Sequence, residues 1–200
     1  MKKIVLAIIF LFTLSVSAQD AKKWTVGVGV NFIDNSNSQN GNYFNVSNWN
    51  STLSVSKLSA QYEFYKNFSA SSEFTFNRLE KDKDQNGGVI ENNLSYFGWD
   101  FNGRYNTAGL FKLPSKYVIE PVVGVGLSWT DGISNQSLNA GLSLGYFFND
   151  TYGVRLQTLG KFASETETTV GNNMIQHSIE LIYKLYLKQL RAPFLGAFFI

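Results

Sequence analysis

The stretch Tyr96-Phe97-Gly98-Trp99-Asp100-Phe101-Asn102-Gly103-Arg104-Tyr105 alternates with a period of two. Successive side chains of an extended chain point to opposite faces, so Phe97, Trp99, Phe101 and Tyr105 share one side and Tyr96, Gly98, Asp100, Asn102 and Arg104 the other. One face is bulky and apolar. The other carries small residues, amides and two opposite charges.

The same rhythm extends in both directions, in segments of about ten residues, the length that crosses a bilayer at a tilt. Trp24, Val26, Val28, Val30 and Phe32 oppose Thr25, Gly27, Gly29 and Asn31. In Leu53 to Phe64, Leu58, Ala60, Tyr62 and Phe64 oppose Ser59, Gln61 and Glu63; Leu53 and Val55 are out of phase, which predicts a bulge near Ser56 and Lys57. Phe68 to Arg78 sets Phe74 and Phe76 against Glu73, Thr75 and Asn77. Tyr117 to Trp129 sets Ile119, Val123, Val125 and Leu127 against Glu120, Gly124 and Gly126, with Pro121 requiring a bulge or an unpaired position. Three more segments follow, with Leu138 to Phe148 facing Asn139, Ser143 and Gly145; Tyr152, Val154, Leu156 and Phe162 facing Arg155, Gln157 and Lys161; and Ile175 to Leu185 facing Gln176, Ser178, Glu180 and Lys184. The expectation is an all-β protein, an eight-stranded antiparallel up-and-down β-barrel.

Alternation alone does not say which face is inside, and a soluble sandwich or lipocalin-like barrel would bury the apolar one. Three features favour a transmembrane barrel. The polar faces are crowded with Gly, Ser and Asn, which fit a narrow lumen but make a poor soluble exterior. Large aromatics gather toward strand ends, and Trp24, Phe32, Phe64, Phe97, Trp99, Tyr105, Tyr117, Trp129, Tyr152, Phe162 and Tyr183 are the expected girdle. Long polar connections, Asp34 to Asn48, Glu80 to Asn92 and Ser164 to Asn173, alternate with tight ones, Tyr65-Lys66-Asn67 and Asn149-Asp150-Thr151. Two connections break that alternation: Asn106 to Lys116 is long, and Asp131 to Gln136 is short.

Outward from the strands, Lys2 and Lys3, the apolar run Ile4 to Leu14 and Ser15-Val16-Ser17-Ala18 have the three parts of a secretory signal. The expected organisation is a signal peptide over 1–18, a barrel over 19–186 and a tail of unassigned role over 187–200. The 200-residue chain has no Cys, so neither disulfides nor thiolate metal sites are available. Its formal charge of +2 falls to zero without Lys2 and Lys3, since 17 − 2 = 15 basic residues face 15 acidic ones. A basic surface for nucleic acid is not indicated.

His177 is the single histidine, and Ser178 beside it points to the opposite face of a strand, so the two do not form a nucleophile and base. A place in the outer girdle is the expectation for His177. One His without Cys makes no metal site, and no cofactor is expected. The glycine pairs Gly27/Gly29 and Gly124/Gly126 lie inside strands and read as lumen spacers rather than phosphate loops. The inward ionisable residues, Glu63, Glu73, Asp100, Arg104, Glu120, Arg155, Lys161 and Glu180, are expected to form a lumen charge network, with Arg104 meeting Glu120 and Arg155 meeting Glu180 across strands.

The stretches Tyr117 to Gly126, Leu138 to Phe148, Tyr152 to Gln157 and Ile179 to Leu185 resemble the small outer-membrane barrels of the OmpA/OmpX type, especially the OmpA-like barrels of Bacteroidetes. The resemblance implies eight strands, both termini in the periplasm, residence in the outer membrane of a Gram-negative bacterium and insertion by the outer-membrane assembly machinery. It implies outer-membrane lipid and lipopolysaccharide as surroundings, no nucleic acid, and a monomer. A peptidoglycan-binding domain of the kind carried by longer OmpA-like proteins is not expected in this chain. The expected function is non-enzymatic: structural, membrane-stabilising or adhesive through the long loops. A narrow pore for ions or small solutes is the alternative, followed by a lipid-modifying barrel enzyme or a soluble ligand-binding barrel.

Overall fold

The computed structural model describes residues 24–35, 44–52, 54–85, 88–164 and 173–185. The expected signal segment 1–18 and tail 187–200 lie outside the described residues, as do 36–43 and 165–172 within two of the long loops. Eight strands make the wall: β1 (Trp24–Asp34), β2 (Lys57–Tyr65), β3 (Phe68–Leu79), β4 (Leu94–Tyr105), β5 (Tyr117–Thr130), β6 (Ile133–Phe147), β7 (Tyr152–Ala163) and β8 (Met174–Leu185). Each pairs antiparallel with its neighbours in sequence, and β1 pairs with β8 from Trp24↔Leu185 to Asp34↔Ile175, which closes the barrel. Closure leaves no edge strand, the condition for a sheet to stand in hydrocarbon.

The faces are sorted without ambiguity. Val123, Leu138 and Leu181 are about two-thirds exposed on the outer wall (65%, 67% and 64%), whereas Glu73, Asp100 and Glu180 inside are 0% exposed. A soluble barrel would show the reverse, because uncovered apolar area costs free energy in water and isolated buried charge costs more. The outer wall is therefore a surface for lipid, and the interior is the polar part.

Four details differ from, or refine, the sequence expectation. β2 starts at Lys57 rather than Leu53. Above it Ser56 alone spans the gap, donating its N–H to Gly29 O (2.9 Å) and accepting from Phe76 N (2.8 Å). Asparagine side chains close the rest of the seam: Asn31 Nδ2 donates to Ser56 O (2.8 Å) and Phe76 O (3.0 Å), and Asn77 Nδ2 donates to Asn31 Oδ1 (2.7 Å) and Asn50 O (3.1 Å). Amides can replace a missing ladder because each carries both donors and an acceptor. The register irregularity in β2 lies at its other end, between Glu63 and Tyr65. At the expected position Ser56 and Lys57 both stand opposite Gly29 and are both buried, so the alternation is broken there as a bulge would break it.

The connection expected as a short loop over Asp131 to Gln136 is instead a two-residue turn, Asp131-Gly132, both at positive φ (48° and 87°), and β6 begins at Ile133. That geometry matches the twist of a hairpin and favours Asp-Gly. β6 registers on β7 only from Ser137↔Ala163, so Ile133 to Gln136 rise beyond β7. Pro121 faces Leu142 in an unbroken register with β6, while the β4 ladder ends at Arg104↔Val122, so the missing N–H falls just past that ladder.

The lumen changes character along its length. At the end carrying the long loops, Ile33, Leu79, Tyr96 and Met174 form a buried apolar cluster, with Ile90 and Leu94 packed against it. Below it the filling is mainly polar and charged, with Val122, Leu159, Phe147 and Ile182 buried beside it.

Candidate functional site

Each strand contributes one or more polar side chains to the middle of the barrel, because the period of two that turns the apolar set outward turns Lys57, Glu73, Asp100, Arg104, Glu120, Arg155, Lys161 and Glu180 inward. All eight are buried. Four cations thus face four carboxylates, and the buried middle is electroneutral. Water cannot compensate charges there, so each group must find its partner in the wall.

Glu73 and Arg104 are the hub. Arg104 Nη2 meets Glu73 Oε1 at 2.6 Å, Nη1 meets Glu120 Oε2 at 3.1 Å, and Nε donates to Ser71 Oγ at 2.9 Å. Glu73 also takes Lys57 Nζ (2.8 Å), Asn102 Nδ2 (3.0 Å), Gln157 Nε2 (2.9 Å) and Ser71 Oγ (2.9 Å). Lys57 continues to Glu180 Oε1 (3.3 Å) and Ser178 Oγ (3.0 Å). Glu120 Oε1 accepts from Gln61 Nε2 at 2.9 Å. Arg155 donates from Nη2 to Gln61 Oε1, but its Nη1 stands 4.0 Å from Glu180 Oε2 and makes no hydrogen bond. The Arg155–Glu180 contact is therefore an ion pair at the limit of contact.

A second cluster lies nearer the apolar cap. Lys161 Nζ donates to Asp100 Oδ2 (2.9 Å) and Tyr96 Oη (3.2 Å), and Asn139 Nδ2 donates to Asp100 Oδ1 (3.0 Å) and Asn102 Oδ1 (3.3 Å). Asn102 joins the two clusters through Glu73. The arrangement fills the bore and supplies no separated acid and base around an open space.

Glu63 does not belong to this network. It is exposed at the mouth beside the short turns, because β2 loses register immediately after it. There it lines a vestibule of about 100 Å³ with Gln61, Glu120, Arg155 and Lys184. Lys57 was missing from the sequence expectation, since it lay where a bulge was expected; its period-two relation to Ser59 and Gln61 was the available signal.

The aromatics form contact pairs at two levels. Near the short turns are Trp24 and Tyr62 (4.9 Å between ring centroids), Phe68 and Tyr105 (4.5 Å), Tyr117 and Tyr146 (5.3 Å), and Tyr152 and Tyr183 (5.0 Å). Near the long loops are Phe32 and Trp49 (5.9 Å) and Phe97 and Trp129 (5.5 Å). Phe64 and Phe162 are exposed on the outer wall. Trp99 is not at a rim: it sits two residues inward from Phe97, stacks on Phe74 (5.7 Å) and donates its indole N–H to Ser72 Oγ (3.0 Å). That side-chain partner satisfies the indole at a depth where interfacial water is absent. His177 lies outside on the wall, stacked on Trp49 at 4.5 Å, with Thr158 Oγ1 2.9 Å from Nδ1. Ser178 is inside.

No family model and no curated protein matches the chain. Among solved structures, the backbone is similar to that of Ail, the attachment invasion locus protein of Yersinia pestis (TM-score 0.50, 10% identity, covering 82% of this chain and 99% of that one), itself described as an outer membrane protein. The chain has the fold of the small outer-membrane β-barrels. Neisserial surface protein A matches it similarly (TM-score 0.51, 10% identity, 82% of this chain and 96% of that one). Identity at this level speaks for the fold, and the lumen has to be read on its own residues.

Proposed function

We propose that this barrel is a closed, non-enzymatic outer-membrane protein of a Gram-negative envelope, structural or adhesive in role, with the long loops outside and the short turns in the periplasm. The observation that carries the reading is the bore itself: a charge-balanced, mutually bonded filling capped at one end by Ile33, Leu79, Tyr96 and Met174. An eight-stranded lumen is just wide enough to be filled by side chains, and an apolar constriction sheds water, so ions have no continuous wet path. Buried carboxylates already engaged by cations and amides are poor general bases, and His177 lies on the outer wall against the rings of Trp49 and Phe44 rather than in a cavity. Attachment is the function named for one fold neighbour, which makes the loops the surface to test for adhesion. Conductance of the purified protein in planar bilayers tests the closed state: silence supports it, and steady single-channel steps would replace it with the pore reading.

A further inference from the structure

We infer that the vestibule at the short-turn mouth is a binding site for a small oxyanion, a carboxylate or a phosphate, held by Arg155. The inference goes beyond the closed-barrel reading and shares residues with it, since Gln61, Glu120 and Arg155 belong to the filling and also line the vestibule below it.

The central cluster holds three cations, Lys57, Arg104 and Arg155, against three carboxylates, but they are not shared evenly. Glu73 takes both Lys57 and Arg104. Both oxygens of Glu120 are occupied, one by Gln61 and one by Arg104. Glu180 is held by Lys57 and by Ser59 Oγ. Arg155 is left with a neutral acceptor, Gln61 Oε1, and a carboxylate 4.0 Å away.

Arg155 is 3% exposed, and its Nη1 has no hydrogen-bond partner. A guanidinium carries five donors in a planar fork suited to two oxygens of one anion, and a buried donor left empty is costly. The same side chain lines the vestibule of about 100 Å³, room for a group the size of acetate or phosphate. Thr25, Ser69, Asn106 and Ser115 supply neutral polar lining. Lys184, whose Nζ lies 3.8 Å from the Phe147 ring centroid, brings a second positive charge to the mouth. Glu63 opposes it there and sets a limit on affinity. The expected ligand is therefore weakly held and small.

The chain has four arginines, Arg78, Arg104, Arg155 and Arg191, so their side-chain Nε–Hε signals can be followed individually by NMR in detergent micelles. Inorganic phosphate and, separately, acetate are titrated at constant ionic strength. The proposal predicts a saturable shift of the Arg155 signal with either anion, while Arg104, whose donors are engaged, stays fixed. Lys184→Gln should weaken that response by a few fold, and in Arg155→Lys none of the remaining arginine signals should move with either anion. An Arg155 signal that does not move, or moves linearly together with Arg78, overturns the site and leaves only ordered water in the vestibule. The wild-type titration decides the matter even if an Arg155 variant does not fold.

Discussion

Arg104 on β4 and Glu73 on β3 meet at 2.6 Å, with both side chains 0% exposed; Lys57 and Glu120 each touch one of them, Glu180 joins through Lys57, and Arg155 joins only through Glu180 or Gln61. The pair holds the barrel together from within. Removing Glu73 alone leaves the lumen with one cation in excess of its carboxylates.

Glu73→Ala should therefore cost about 3–5 kcal/mol, the range for breaking a buried pair from one side. Urea unfolding in micelles, followed by tryptophan fluorescence, measures it. Glu73→Ala combined with Arg104→Ala should cost less than the sum of the two single changes, because the second removes the charge that the first strands.

Salt should matter little to that stability. Ions screen charges that solvent reaches, and the eight lumen groups are out of reach. The unfolding midpoint should stay nearly constant between low and high sodium chloride, whereas a network open to bulk water would weaken.

On the outer wall the opposite chemistry applies. Leu142 is 46% exposed near the middle of β6, between lumen-facing Gly141 and Ser143. Leu142→Arg should destabilise the folded protein by about 2–4 kcal/mol, as expected for an arginine near the bilayer midplane. Refolding titrations into lipid vesicles provide the measurement.

Gly29 is tightly placed for another reason. A Cβ there would run into the backbone of Ile179 on the facing strand, whereas a Cβ at Gly109 meets nothing within 4 Å. Gly29→Ala should cost roughly 1–3 kcal/mol through displaced backbone. Gly109→Ala should leave the unfolding midpoint unchanged.

Much of this barrel was legible in the chain, because a period of two is a local signal that needs no partner strand to be read. Trp24 to Phe32 and Tyr96 to Tyr105 show it in their own residues, and the same alternation puts Glu73, Arg104 and Glu120 on inward faces. The exceptions lie where tertiary contacts override the local pattern. Residues Leu53 and Val55 suggested a longer β2, but Asn31, Asn50 and Asn77 take over the hydrogen bonding above Ser56. Glu63 has the right parity for the lumen and still lies at the mouth, since parity fixes the face and not the depth. Trp49, the stacking partner of His177, sits in a loop, where no period announces it. The uneven sharing of carboxylates that isolates Arg155 depends on distances across the bore, which no sequence pattern encodes.

The absence of cysteine makes one test direct: single cysteines placed at neighbouring positions report on opposite faces. Spin labels at Leu142→Cys and Leu181→Cys should be relaxed by oxygen dissolved in the bilayer and protected from a water-soluble nickel complex. A label at Ser143→Cys, one residue away, should show no lipid contact. Labels at Leu142 and Leu181 that are shielded from lipid, with the one at Ser143 facing the bilayer, would contradict the account.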